Sequence, residues 1–243
     1  MQQLRQPELL LLTALLRIRC KIMSTFGELK TEIANKLTDG ALQYPTTSQI
    51  GDTINSLVQY YDNKHFWFSQ AKEEITLNVN DPVIPDFPED FKNEVNPGGF
   101  VIVYDELRYP LEKVKPDIYD SMNIEATGIP SAYTFRNGEY LLYFYPDQEY
   151  TMFINYRKRY EAMVDSGDEN DFTIYTPRLL VYASLAEIYA TYKRDPAMAQ
   201  FYKAQADDEF REVMSETYER TASGKLTPDS PYSTGSCYDY WGF

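Results

Sequence analysis

Histidine and cysteine, which supply many catalytic and metal sites, are almost absent from this sequence. The chain has one histidine, His65, and two cysteines, Cys20 and Cys237, in 243 residues. A single histidine inside an aromatic segment argues against Ser-His-Asp and Cys-His catalysis, and His65 is predicted to be a packing residue. Two cysteines make neither a disulfide framework nor a four-ligand zinc site. Since no glycine-rich phosphate loop occurs either, we predict a protein without cofactor, metal or catalytic residues.

Positive charge is also scarce. The chain has 23 basic and 37 acidic residues, which gives a net charge of -14 and a pI near 4.5. Binding nucleic-acid phosphates needs clustered Lys and Arg, so the composition argues against a protein that grips DNA or RNA. The apolar fraction of 43% is ample for a buried core and predicts a soluble globular protein.

Apolar runs long enough to span a bilayer are missing. One shorter apolar run lies in a basic leader, residues 1–22. Its apolar residues, Leu9–Leu12 and Ala14–Leu16, are far fewer than the roughly twenty that span a bilayer. A signal peptide is one interpretation, although no small-residue cleavage site follows. The other is that Met23 is the biological start, because the acidic remainder opens there with a helix. The leader is then not native, or is disordered.

The rest of the chain predicts an α+β fold. It combines a helical bundle, which includes a long antiparallel helix hairpin, with a small antiparallel β-sheet domain and an extended C-terminal tail. The predicted divisions are a leader (1–22), an N-terminal helix pair (23–70), an antiparallel β domain (71–160), a helical hairpin packed on the N-terminal helices (161–220) and a docking tail (221–243).

The spacing of apolar residues along the sequence predicts the first helices and strands. A stripe from Phe26 to Leu37 predicts one helix, and a second helix starts from a cap at Thr46, Thr47 or Ser48. The aromatic segment Lys64–Ser69 is expected to fill the junction between helices and sheet. Further strands are predicted at Glu74–Val79, Phe100–Tyr104 and Leu107–Val114, with a proline-rich loop at 81–97 and a short helix at Pro116–Met122.

The clearest strands form a predicted antiparallel meander: Tyr133–Arg136, Tyr140–Tyr145 and Tyr150–Tyr156. Asn137-Gly138 between the first two is a strong hairpin signal. Beyond them, Thr176 is expected to cap a helix with Pro177 at its first position, and Asp195-Pro196 to end it. In the following helix, Phe201, Phe210, Val213 and Met214 are predicted to face its partner.

Two acidic features leave alternatives open. The loop 165–171 has several oxygen ligands close together, but it lacks the alternating acids, central Gly and distal Glu of an EF-hand. It is either a calcium site or a solvated loop. Paired carboxylates for glycoside cleavage are conceivable at Glu73, Glu74, Glu89 and Asp90, although nothing distinguishes them from a charged surface. A glycan hydrolase or sugar-binding module of a virion is therefore the alternative function.

The tail after Thr221 changes to Ser, Gly, Thr and Pro and then becomes aromatic. Such a segment buries too little apolar surface to offset the conformational entropy that it would lose on ordering. Its aromatic rings nevertheless suit a docking interface. It is either a disordered end or a segment that orders on a neighbouring subunit or partner ring. The candidate interface residues are Tyr232, Tyr238, Tyr240, Trp241 and Phe243.

The arrangement resembles the tail adaptor, or head-to-tail connector, proteins of short-tailed bacteriophages. The resemblance runs from about Phe26 to Pro228. The motifs that carry it are His65–Phe68 after the helix pair, Pro88–Phe91, Gly128–Tyr133, Tyr145-Pro146 with Tyr150 and Tyr156, and the helix Tyr182–Asp195 running into Pro196. The leader and the aromatic terminus depart from the family pattern.

The resemblance implies a structural virion protein and not an enzyme. It implies a homo-oligomeric ring of twelve copies between the portal protein and the next tail component, a tail tube or nozzle protein or the tail fibres. The protein would be assembled in the host cytoplasm without membrane contact and would end at the portal vertex of the virion. Genomic DNA would pass through an acidic channel without specific binding.

Overall fold

The structure, a computed structural model, describes residues 24–37, 45–85, 87–95, 98–122 and 126–221. Its helices are α1 (Phe26–Lys36), α2 (Thr47–Asp62), α3 (Pro116–Asp120), α4 (Asp171–Tyr175), α5 (Pro177–Ile188) and α6 (Pro196–Thr221). Its strands are β1 (Gln70–Leu77), β2 (Phe91–Glu94), β3 (Phe100–Tyr104), β4 (Leu107–Pro110), β5 (Glu112–Lys113), β6 (Thr127–Gly128), β7 (Ala132–Arg136), β8 (Glu139–Tyr143), β9 (Tyr145–Pro146) and β10 (Tyr150–Lys158). The predicted α+β class is confirmed. The predicted leader lies outside the described residues.

Both N-terminal helices begin with a capping box. The hydroxyl of Thr25 accepts from the Glu28 amide at 3.2 Å while the Glu28 carboxylate accepts from the Thr25 amide at 3.0 Å. Thr46 and Gln49 repeat the arrangement at α2, so Thr46 is the cap among the three candidates. Each box satisfies amide groups that a helix start leaves without partners, and this fixes where α1 and α2 begin.

A helical core forms where α1, α2 and α5 pack together, with α6 laid against them. Its buried residues include Leu29, Ile33, Ile54, Leu180 and Leu185. An aromatic cluster, formed by Phe66, Phe68, Phe172 and Phe210, joins the core to the chain that enters the sheet, with ring centroids 5.2 to 5.9 Å apart. The expectation that the aromatic segment fills this junction is confirmed.

His65 lies outside this cluster, so its prediction as a packing residue is wrong. The side chain is exposed, and the backbone adopts φ of 60°, a left-handed conformation that turns the ring away from the neighbouring aromatics. Its Nε2 lies 3.3 Å from the Arg157 guanidinium instead.

The strands form two main sheets, and the predicted three-strand meander is wrong. β10 does not pair with β8; it lies in a five-stranded sheet ordered β1-β10-β3-β4, with β2 also paired to β10. β7 and β8 form a hairpin with β5 added in parallel, and β6 pairs with β9 in parallel. The hairpin turn at Asn137-Gly138, with φ of 53° and 90°, is confirmed.

A second core lies between the five-stranded sheet and the β7–β8 hairpin. Its buried residues alternate along the strands, as in Phe100 and Ile102 on β3 and Met152, Ile154 and Tyr156 on β10. β2 was missed, because its four residues follow a proline-rich segment. Pairing with the end of β10, around a register shift at Arg157 and Lys158, converts part of the predicted loop into a strand.

The connection between α5 and α6 contains a π-helical turn, Tyr189–Lys193, and then Arg194 with φ of 52°. The Asp195 carboxylate accepts from the amides of Ala197 and Met198 at 3.1 Å, which starts α6 as the Asp195-Pro196 break predicted. The two helices contact each other through the stacked rings of Tyr189 and Tyr202, with centroids 5.5 Å apart.

Thr176 is the N-cap residue of α5 and Pro177 its first residue, as predicted, but the Thr176 hydroxyl donates to the carbonyl of Phe172 at 3.0 Å and not to the start of α5. One side-chain prediction in α6 is wrong. Phe201 is 55% exposed, so it does not face α5, whereas Phe210, Val213 and Met214 lie against the helical core. None of the helices described here is long and apolar enough to cross a bilayer.

The start of α1 is held by the loop before α4. The amides of Phe26 and Gly27 donate to the carbonyls of Asp168 and Ser166, each at 2.9 Å. A Cβ on Gly27 would lie 2.8 Å from the Ser166 carbonyl oxygen, closer than packing allows. The sequence position thus requires glycine because another backbone lies against it.

We expect Gly27→Ala to lower the free energy of unfolding by about 1 to 3 kcal/mol, because the backbone of Ser166 must move to admit the methyl group. Urea or thermal unfolding measures the change. Gly167→Ala is the matched control, since a Cβ there meets nothing within 4 Å. Equal stability of the two variants would contradict the close packing of loop and helix.

Candidate functional site

The predicted docking residues, Tyr232, Tyr238, Tyr240, Trp241 and Phe243, lie outside the described residues. Their role as an interface stays a prediction. The chain leaves the described region at Thr221, one residue after Arg220, whose guanidinium lies 3.9 Å from the centroid of the Trp67 ring. This contact defines where the tail begins relative to the rest of the fold.

Two of the four candidate glycosidase carboxylates, Glu73 and Asp90, meet at the hydroxyl of Tyr156, whose pKa is raised by burial and by both carboxylates. Glu73 and Glu74 are consecutive exposed residues of β1, so their side chains leave opposite faces of the strand. Glu89 is exposed as well. Asp90 accepts a hydrogen bond from the Tyr156 hydroxyl at 2.8 Å, and burial together with that carboxylate raises the pKa of Tyr156. Asp90 therefore anchors a core tyrosine.

The side-chain oxygens of the acidic loop, residues 165–171, accept hydrogen bonds from donor groups of the protein itself. The Asp168 carboxylate accepts from the amides of Val164 and Asp165 at 2.7 and 2.8 Å. Asn170 caps α4, and Asp171 pairs with Lys158 and accepts from the Tyr160 hydroxyl at 2.8 Å. Within the described ranges, no three His, Cys, Asp or Glu residues form a group that could hold a metal ion.

One buried carboxylate, Glu94, was not singled out by the sequence. Its side chain is 5% exposed, and it accepts hydrogen bonds from Lys113 and from the Tyr140 hydroxyl, so it joins β2, β5 and β8. Burial alone would raise the pKa of Glu94, but the hydrogen bonds from Lys113 and Tyr140 hold it below 4.5. Its charge raises the pKa of the buried Tyr133 and Tyr140 hydroxyls further. This arrangement is an internal ionic anchor.

The anchor makes stability depend on pH in a defined direction. Because the folded-state pKa of Glu94 is depressed, its contribution is complete above pH 4.5 and is lost as the pH falls through the folded-state value. We expect Glu94→Gln to cost about 2 kcal/mol at pH 7, since Lys113 loses its counter-charge, and to cost less at pH 3. Urea unfolding at both pH values measures this. Glu112→Gln, at an exposed residue of β5, is the control. If the cost of Glu94→Gln were the same at both pH values, the depressed pKa assigned to Glu94 would be contradicted.

A polar seam, formed by Asp62–Lys92, His65–Arg157 and Asp171 with Lys158 and Tyr160, connects the helical core to the sheet. The Lys92–Asp62 pair is 2.5 Å long and the side chains are 28% and 11% exposed. Although His65 is exposed, partial desolvation by its neighbours, followed by the charges of Arg157 and Lys92, lowers its pKa. These directional contacts fix how the two parts sit on each other.

Large apolar side chains are exposed on several elements of the described chain, among them the β3–β4 hairpin and α6. A β3–β4 hairpin tip, formed by Tyr104, Leu107 and Tyr109, leaves them 39%, 57% and 38% exposed. On α6, Phe201 and Tyr218 are 55% and 66% exposed. The hairpin residues are close together, whereas Phe201 lies near the start of α6 and Tyr218 near its end. Clustered apolar exposure, as on the hairpin, marks surfaces that other proteins cover.

These features suit a protein that contacts other proteins: apolar side chains are exposed, and the buried carboxylate Glu94 anchors the fold. A family model described as SU10 adaptor protein matches residues 24–229. The chain belongs to this family, which confirms the sequence-based resemblance to phage adaptors; it is a virion component that interacts with other virion proteins. The match ends before Tyr232. No curated protein matches the chain.

Proposed function

We propose that this protein forms a ring-shaped adaptor between the portal and the tail of a short-tailed phage, in twelve copies. Besides family membership, the exposure of apolar groups on both the hairpin tip and α6 carries the proposal. A closed ring is built from heterologous contacts, in which one surface of a subunit covers a different surface of the next. Two separate apolar surfaces on one chain fit that requirement.

The α5–α6 region supplies one half of the proposed contact. We treat it as a long antiparallel helix hairpin, because Arg178 lies 4.0 Å from Glu209 while Tyr189 stacks on Tyr202. One face of α6 covers the helical core and the opposite face, with Phe201, is open to an adjacent copy. The proposed domain division follows: helix pair 23–70, β domain 71–160, hairpin 161–220 and tail 221–243.

The charge of the chain suits a DNA channel. A net charge of -14 for each copy gives a ring whose wall repels phosphates. DNA would then pass without the sequence-independent adhesion that clustered Lys and Arg produce. In this arrangement the β domain projects outward to a tail tube, nozzle or fibre protein, and the tail residues Tyr232 to Phe243 dock on the portal or a neighbouring subunit.

The ring contact is tested by the size of the assembled protein. We expect Phe201→Ser and Leu107→Ser each to weaken self-association about tenfold, because each removes an apolar anchor of more than 1 kcal/mol. Light scattering after gel filtration, over a concentration series, measures the effect. Val164→Ser, at a residue that is 78% exposed and lies on neither surface, is the control. If the wild-type chain stayed monomeric, both alone and with portal protein, the ring proposal would be contradicted.

The role of the tail is tested by deleting residues 231–243. If the aromatic residues dock on a virion partner, the truncated protein should fold with unchanged thermal stability but fail to join heads to tails. Counting complete particles by electron microscopy measures joining. Normal joining by the truncated protein would remove the docking role and leave the ring proposal standing.

The glycan-directed alternative gains no support from the described residues. A retaining or inverting glycosidase needs two carboxyl groups facing one cleft at a fixed separation. The candidate acids Glu73 and Asp90 both interact with the core tyrosine Tyr156, and Glu74 leaves the opposite face of the strand. We therefore propose a structural and not an enzymatic role.

A further inference from the structure

One face of the five-stranded sheet is left uncovered by the residues that the structure describes. We call it the outer sheet face and define it by Lys72 and Glu74 on β1, Val101 and Val103 on β3, Arg108 on β4, and Thr151, Phe153 and Asn155 on β10. All of these side chains are half-exposed or exposed, and none belongs to either core. Phe153, Val101 and Val103 form an apolar centre, because Phe153 pairs directly with Val101 in the register.

The composition of this face is that of a covered surface. All five residues of β3 are apolar, a pattern typical of strands that are buried on both sides. A solvated face of an antiparallel sheet is polar instead. The Lys72 ammonium and the Arg108 guanidinium lie over the Phe153 ring at 3.8 and 5.7 Å. Each covers apolar surface with its stem and directs a positive charge outward.

Charge and hydrogen-bonding capacity are unmet at the same face. Lys72 and Arg108 have no carboxylate within 4.0 Å in the described part of the chain, although the protein is strongly acidic. Toward the β2 end, the buried Asn93 Oδ1 and Arg157 Nε find no partner among the described residues. A cleft of about 350 Å³ is lined by Gln70, Lys72 and Asn155, among others. An acidic, aromatic segment would complement this surface.

The chain itself supplies such a segment close by. The Arg220 contact places the end of α6 beside Trp67, which precedes the first residue of β1, Gln70, by a single 3-10 turn. The sequence continues from 222 to 243 with Asp229, Asp239 and the five tail aromatics. Eleven extended residues, the separation of Tyr232 from Thr221, reach about 35 Å, which exceeds the length of β1.

We propose that, in the subunit before assembly, residues 222–243 lie on the outer sheet face of the same chain. The aromatic side chains cover Phe153, Val101 and Val103, and the aspartates meet Lys72 and Arg108. The same chain is the favoured source because a short tether gives its own segment a millimolar effective concentration. This covering does not depend on ring formation; assembly would later release the tail to its proposed virion partner.

Cys237, inside the aromatic segment, provides the test. In a Cys20→Ser background, Glu74→Cys places a thiol on the outer sheet face opposite Phe153. Glu73→Cys is the control, because it removes the same charge from the adjacent residue but projects from the opposite face, toward Tyr156; circular dichroism checks that this variant is folded. Dilute monomer, isolated by gel filtration, is oxidised with oxidised glutathione, and the disulfide to Cys237 is followed by non-reducing electrophoresis and peptide mass.

We expect the intramolecular disulfide of Glu74→Cys to form about tenfold faster than that of Glu73→Cys. Adding Phe153→Ser should reduce the difference severalfold, with circular dichroism confirming that the variant is folded. Equal rates at the two positions would overturn the proposal, as would disulfide-linked dimers in place of the intramolecular product. Either result would leave the ring test with Phe201→Ser and Leu107→Ser unaffected.

Discussion

Backbone pairing along β10 is the constraint on which the rest of the structure depends. The strand bonds to β1 along one edge and to β3 and then β2 along the other, so three strands take their register from it. Its alternate residues build the sheet core, and its last residue, Lys158, reaches Asp171 in the helical part. One nine-residue segment thus connects both cores, and disturbing its register would move every surface considered above.

Local signals in the sequence predicted the elements well. The cap at Thr46, one of three adjacent candidates, the Asn137-Gly138 turn and the Asp195-Pro196 break each act within a few residues, so they can be recognised without knowing the fold. The strand β2 and the division of strands into sheets could not be predicted, because pairing joins distant segments. Phe201 shows the same limit, since periodicity identifies an apolar residue but not which surface covers it.

The candidate site was predictable to a smaller degree. Family resemblance identified the adaptor class, and the scarcity of histidine and cysteine directed attention away from catalysis. The role of Glu94 could not be predicted from the sequence, because this one acid among 37 acquires its role only when β2, β5 and β8 surround it. The outer sheet face was hidden for a similar reason, since the apolar run of β3 alone does not reveal which side lacks a cover.

The π-helical turn Tyr189–Lys193 has a consequence for how this chain changes during evolution. A π turn holds one residue more than an α turn, so it behaves as an insertion absorbed within a helix. Losing one residue there would restore α geometry and turn the end of the helix, where Arg194 follows, by about 100°. The segment before α6 is therefore a place where a single codon gained or lost changes the direction in which the chain enters α6.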